Sequence, residues 1–265
     1  MEQINHSALG GEPKLALAGF GIDMNSNEQI EVLHLEVTMG GHAAVLHPFV
    51  IYEEGRAYLF DTGIPGSYDK LNALLQPDYP VAGVILTHQD IDHVGTLPQW
   101  IAAGGGELNV YAHEGDRKVI DGTAPFLKAT PERLNMMLSS LTPETAQQFR
   151  AVFSADTPPN VTDVLQDGDV LPLAGGLQVI YTPGHTPGHI SLYHPGSKTL
   201  FAGDAMAVND GQLDGPVPNF TPDYPLAVQS LQAFLELDID KVVCYHGGAF
   251  HGDIHGRIRE LVASS

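Results

Sequence analysis

The chain has 265 residues, of which 43% are hydrophobic, so it can bury a substantial core and does not read as disordered. Twelve Lys and Arg stand against 32 Asp and Glu, a formal charge of -20. That balance repels phosphate backbones and anionic bilayers, which argues against nucleic acid and membrane surfaces as partners and leaves a small-molecule substrate. A homo-oligomer is left open.

Cys244 is the only cysteine, which excludes an intramolecular disulfide and fits a reducing compartment. The N-terminus carries Glu2, has no basic start and no sustained apolar core, and does not read as a signal peptide. No apolar run reaches the roughly 18–20 residues that span a bilayer. The expected location is cytoplasmic.

In chain order, KLALAGFGI, QIEVLHLEVTM and HPFVIYEEG read as strands, and Glu54-Gly55 offers a turn into AYLFDTG. A helix is predicted near Ser67–Leu75, then the strand VAGVILT, which stops at His88. VGTLPQWIAA has helical spacing and a strand follows near Leu108–Ala112. From about 114 to about 162 the pattern is helical, with Pro131–Ser139 and Pro143–Ala155 each opening on Thr-Pro, and it reads as a helical insertion over the mouth of a site. Strands return in DVLPL, LQVIYTPG and HISLYHPGSKTLFAGD, with Pro195-Gly196 as a hairpin turn. A helix opens at Thr221-Pro222-Asp223, KVVCYHGG is a last strand, and a short helix closes the chain.

Strands followed by helices occur twice without a linker, which suggests one domain over 1–265 with two sheets packed together and helices outside. An internal echo supports this: LFD and LFAGD each end a strand on an acid, and VILTH and VVCYH each end one on a histidine. Asp61, His88, Asp204 and His246 therefore stand at strand ends, where several strands can converge.

Four clusters carry chemistry. His88-Gln89-Asp90-Ile91-Asp92-His93 puts four ligand-type side chains into six residues after a buried-type strand, where uncompensated carboxylates cost several kcal/mol each. Thr182-Pro183-Gly184-His185-Thr186-Pro187-Gly188-His189 is a rigid loop that can hold an imidazole; His185 is the candidate ligand and His189 is read as support or packing. Gly203-Asp204 offers a carboxylate able to bridge two cations, and His246 follows the last strand. His113, Phe220 and Tyr224 are further candidates to face the pocket. The run Gly104-Gly105-Gly106 lacks the Lys that would make it a phosphate loop, and no Gly-x-Ser-x-Gly elbow is present.

Taken in this order, the clusters resemble the metallo-β-lactamase superfamily, with its HxHxDH motif, a His in a GHTPGH-like loop, a strand-end Asp and a final His. The resemblance runs from Asp61 to His246. It implies an α+β fold, a four-layer αβ/βα sandwich with the helical insertion. It also implies two divalent metal ions: His88, Asp90 and His185 on the first, Asp92, His93 and His246 on the second, Asp204 between them, and Asp61 orienting ligands. The chain departs from the family at Asp90, where His is usual; the segment reads HxDxDH. Zn remains the leading ion, with Mn or Fe made plausible by the harder carboxylate.

The expected activity is a metal-dependent hydrolase using a metal-bound hydroxide on a carbonyl-centred substrate, a lactone, ester or thioester, with Asp92 and Tyr224 as candidate catalytic residues. The alternatives are a phosphodiesterase or nuclease of the same superfamily, or a redox or non-catalytic di-metal protein.

Overall fold

The computed structural model describes residues 21–22, 29–157 and 159–264. Most of the KLALAGFGI segment lies outside the described residues.

Two sheets form the centre. The first runs in spatial order Gly21–Ile22, Gln29–Val32, Phe49–Glu53, Arg56–Phe60, Val81–Ile85, Asn109–His113 and Asp163–Leu165. The second runs Val170–Leu171, Leu177–Tyr181, Ile190–His194, Thr199–Gly203, Lys241–Cys244 and Gly248–Phe250. Apolar side chains from both meet in one core layer: Phe49, Ile51, Phe60 and Ile85 from one sheet, Val179, Leu192, Phe201 and Val243 from the other. Phe49 stacks on Phe60 at 4.0 Å and on Phe201 at 3.9 Å, so one ring joins the two sheets.

The outer faces are covered separately. Leu71 of helix Tyr68–Leu74, with Leu97 and Trp100 of helix Leu97–Gly104, packs on the first sheet. Leu231 and Phe234, together with Ile254 and Ile258 of helix Ile254–Ala263, pack on the second. The result is helix, sheet, sheet, helix, the αβ/βα sandwich expected from the sequence.

Local chemistry accounts for the elements. Glu53 pairs with Arg56 across Glu54 (φ 49°) and Gly55 (φ 74°), and two positive φ values in a two-residue loop match the right-handed twist of the hairpin. Thr130 and Thr142 accept the backbone N–H of Arg133 and Thr145, each capping a helix that has Pro in its first turn. The helix predicted after Asp223 is a short α-helix, Tyr224–Ser230, followed by a 3-10 segment, Leu231–Glu236. Glu114–Ile120 is a further helix, capped by the His113 side chain.

The sequence echo corresponds to a repeated arrangement. Arg56–Phe60 runs parallel to Val81–Ile85, and Thr199–Gly203 runs parallel to Lys241–Cys244. In each pair the first strand leads to an acid and the second towards a histidine, so Asp61, His88, Asp204 and His246 gather at one edge. The two halves are stitched there: Leu46 bridges His246, and the His47 N–H donates to the Tyr245 carbonyl at 3.0 Å.

Candidate metal centre

Two groups of ligand-type side chains form at this edge: His88, Asp90, His185 and Asp204, and Asp92, His93 and His246. Asp204 touches both. Its Oδ2 lies 3.3 Å from His185 Nε2 and 3.5 Å from His246 Nε2, and its Oδ1 lies 3.4 Å from His93 Nε2. Asp90 Oδ2 lies 3.3 Å from His88 Nε2 and 3.1 Å from His185 Nε2, while Asp92 Oδ2 lies 3.3 Å from His246 Nε2. All seven residues named from the sequence are brought together.

Each imidazole is oriented by what its other nitrogen touches. Asp61 Oδ1 accepts the Thr87 N–H and its Oδ2 accepts the Thr87 hydroxyl, both at 2.8 Å. With that hydroxyl proton committed, Thr87 Oγ1 accepts from His88 Nδ1 at 3.0 Å. Asp61 Oδ2 also accepts from His93 Nδ1 at 2.9 Å. The Thr221 hydroxyl donates to the Val217 carbonyl, so its oxygen accepts from His185 Nδ1 at 3.2 Å. The Nε2 lone pairs of His88, His93 and His185 therefore face the carboxylates.

His88 Nε2, His93 Nε2 and Asp204 Oδ1 are buried without a hydrogen-bond partner. Three buried polar atoms without a partner among two candidate ligand groups fit a cation, because stranding them otherwise costs about 1–3 kcal/mol each. Electrostatics agree. Burial opposes ionisation of Asp90 and Asp204, yet the surrounding imidazoles, with Lys128 at Asp90, hold both carboxyls well below the usual range. Burial also opposes a charge on His246 and His93. Asp204 and Asp92 push His246 up to about 10, and Asp204, Asp61 and Asp92 raise His93 well above its ordinary value. The chain thus draws positive charge into this edge.

Supporting residues were only partly visible in the sequence. His189 Nε2 accepts the Asp204 N–H at 3.0 Å, and its Nδ1 contacts the Thr182 hydroxyl at 2.9 Å. Gly203 (φ +54°) leaves room for that ring; a Cβ there would stand 2.8 Å from His189 Nε2. Asp116, not singled out from the sequence, is buried and clamps both ligand loops. It accepts the Gln89 N–H and the Gln89 side-chain amide, the Thr186 hydroxyl and the Gly188 N–H, all at 2.6–2.9 Å. Tyr245, also missed, donates its hydroxyl to the Asp92 carbonyl at 2.6 Å and lies 3.8 Å from the His93 ring.

A cleft of about 670 Å³ opens from Asp90 and Asp92. Its walls include Phe126, Leu134, Met136 and Met137, with Phe220 from the loop after Asp204, so the 126–140 part of the helical segment borders the site. Tyr224, the sequence candidate for a catalytic donor, begins helix Tyr224–Ser230 and is not among the residues lining this cleft. His113 accepts the Gly115 N–H at 3.1 Å and stacks on Tyr181 at 4.2 Å, a helix-capping position away from the cleft lining.

Residues 47–246 match the sequence profile of the Metallo-beta-lactamase superfamily. The chain belongs to that superfamily. Among curated relatives, "Probable metallo-hydrolase YflN" of Bacillus subtilis (strain 168) is 28% identical over 204 residues, 71% of this chain and 74% of its own. "Hydroxyacylglutathione hydrolase GloC" of Haemophilus influenzae is 26% identical over 208 residues, covering 75% and 82%. The solved structure of ST1585 from Sulfolobus tokodaii, an archaeal metallo-β-lactamase superfamily protein, superposes with a TM-score of 0.60 at 21% identity over 89% of this chain and 85% of that one. The metallo-β-lactamase fold and membership of a metallo-hydrolase superfamily are thereby established. No helix among the described residues is long and apolar enough to cross a membrane.

Proposed function

We propose that this chain hydrolyses a small carbonyl-centred substrate, a thioester, lactone or ester, using two divalent cations held by His88, Asp90 and His185 and by Asp92, His93 and His246, with Asp204 shared. The observation that carries the reading is the contact of Asp204 with histidines of both ligand groups, beside a cleft that Asp90 and Asp92 line. When bound, such a cation pair acidifies water and polarises a carbonyl. Zn is the leading ion, and Asp90, a hard ligand in place of imidazole, makes Mn or Fe acceptable.

The chain's own residues supply the rest. Asp92, its backbone carbonyl held by the Tyr245 hydroxyl, would accept the proton of an attacking water. Phe126, Leu134, Met136, Met137 and Phe220 offer an apolar bed for an acyl group. The name of GloC points to thioesters, and the apolar wall suits them as well as lactones. The net charge of -20 disfavours polyanionic substrates. The same reading takes the protein to act in the cytoplasm on a small molecule, supported by the lone, buried Cys244.

The test is a panel of acyl thioesters, lactones, esters and phosphodiesters assayed with Zn²⁺-, Mn²⁺- and Fe²⁺-loaded protein. Metal-dependent turnover of an acyl substrate is expected. Turnover restricted to phosphodiesters, or none with any metal, would overturn the proposal.

A further inference from the structure

Lys128 reaches the centre from the helical segment. Its Nζ lies 2.6 Å from Asp90 Oδ2 and 2.6 Å from His185 Nε2. These are the two atoms through which Asp90 and His185 face the first ligand group. His185 Nδ1 donates to Thr221, so the Nε2 lone pair taken by the ammonium is the one a cation would take. The side chains of Lys128 and Asp90 are only 16% and 14% exposed, so this is not a solvated surface pair.

The approach of Lys128 is built rather than incidental. The neighbouring Leu127 N–H donates to Gln89 Oε1 at 3.1 Å, and Gln89 is itself held by Asp116 through both its backbone N–H and its side-chain amide. Gln89 lies between the ligands His88 and Asp90, so the backbone beside Lys128 is anchored to the ligand loop. The second group has no equivalent: Asp92, His93 and His246 contact one another, Asp61 and Asp204, with no lysine or arginine pair among the described residues.

We propose that the Lys128 ammonium and the first divalent cation compete for Asp90 Oδ2 and His185 Nε2, so that the two ligand groups fill in sequence, the Asp92–His93–His246 group first. Asp90 strengthens this arrangement, since a carboxylate adds opposite charge to its bond with either an ammonium or a metal ion, which a neutral imidazole at that position would not. Filling the first group requires Lys128 to swing into the cleft, where its charge then faces the substrate. This rests on the two-ion reading of the centre but not on any choice of substrate.

The experiment is calorimetric titration of chelator-stripped protein with Zn²⁺ and separately with Mn²⁺, with bound metal counted after dialysis. Wild type is expected to take one ion at least tenfold more tightly than the second. Lys128→Met should tighten the weaker event at least tenfold and leave the tighter one unchanged, and Lys128→Ala should act in the same direction, with circular dichroism confirming that each variant is folded. Equal affinities in wild type, or unchanged isotherms in the folded variants, would overturn the competition while leaving the two-ion reading intact. No tight ion in any variant would overturn both. Loss of turnover with unchanged isotherms would make Lys128 a substrate contact and defeat the proposal.

Discussion

Asp61 and His93 lie 32 residues apart in sequence and are joined by a 2.9 Å contact between Oδ2 and Nδ1. Asp61 also holds Thr87, which holds His88, so one carboxylate orients an imidazole in each ligand group. Asp61→Asn is expected to weaken metal affinity by roughly 10–100-fold, the usual cost of losing a carboxylate behind a ligating histidine. Competition with a chromophoric chelator measures this, and unchanged affinity would show that the carboxylate does not act through the rings.

Asp204→Ala removes a carboxylate that contacts histidines of both groups. Metal content should fall below one ion per chain and turnover should be lost, with the fold preserved by circular dichroism. Retained turnover would sink the assignment of Asp204.

The metal-depleted protein should become less stable as pH rises. His246, raised from 6.5 to about 10 in the folded chain, contributes stability that is fully present below 6.5 and is lost as pH climbs through about 10. Urea unfolding in the presence of EDTA at pH 6.5, 8 and 10 should therefore show a declining midpoint. A midpoint that rises over this range would contradict the charge assigned to His246.

Asp116 is predicted to matter for stability before it matters for chemistry. Asp116→Ala strands four donors from two loops and should cost about 3 kcal/mol, at the upper end for a buried hydrogen-bonded group. Urea denaturation of the metal-free variant measures this separately from metal binding.

Phe220 is 57% exposed at the cleft, so replacing it should not disturb the core. Phe220→Ala is expected to raise KM for long-chain acyl substrates several-fold while short-chain KM and kcat change little. An equal effect on both chain lengths would remove the apolar bed from the argument.

The candidate ligands were legible because chemistry of this kind is dense in sequence: four of the seven fall between His88 and His93, and the others end strands or sit in a Pro-Gly loop. The two-sheet arrangement was legible for a related reason, since its strands alternate with turn residues and its halves repeat. Lys128, Asp116 and Tyr245 were not. Lys128 meets partners 38 and 57 positions away, Asp116 joins loops 27 and 72 positions away, and Tyr245 reaches Asp92 across 153. A lysine between two helices, or an acid in a helix's first turn, reads as surface until the fold brings a partner to it. Tyr224 stands at the first position of a helix capped by Asp223 and does not line the cleft.

The seam between Leu46 and His246 has a consequence for how the molecule can be divided. A fragment through 165 would hold His88, Asp90, Asp92 and His93, and a fragment from 170 would hold His185, Asp204 and His246. Neither has a full set of ligands, and each exposes one face of the shared Phe49–Phe201 layer. Cutting the chain between 165 and 170 would therefore divide the candidate ligands between two pieces, and metal uptake is expected only where the pieces reunite.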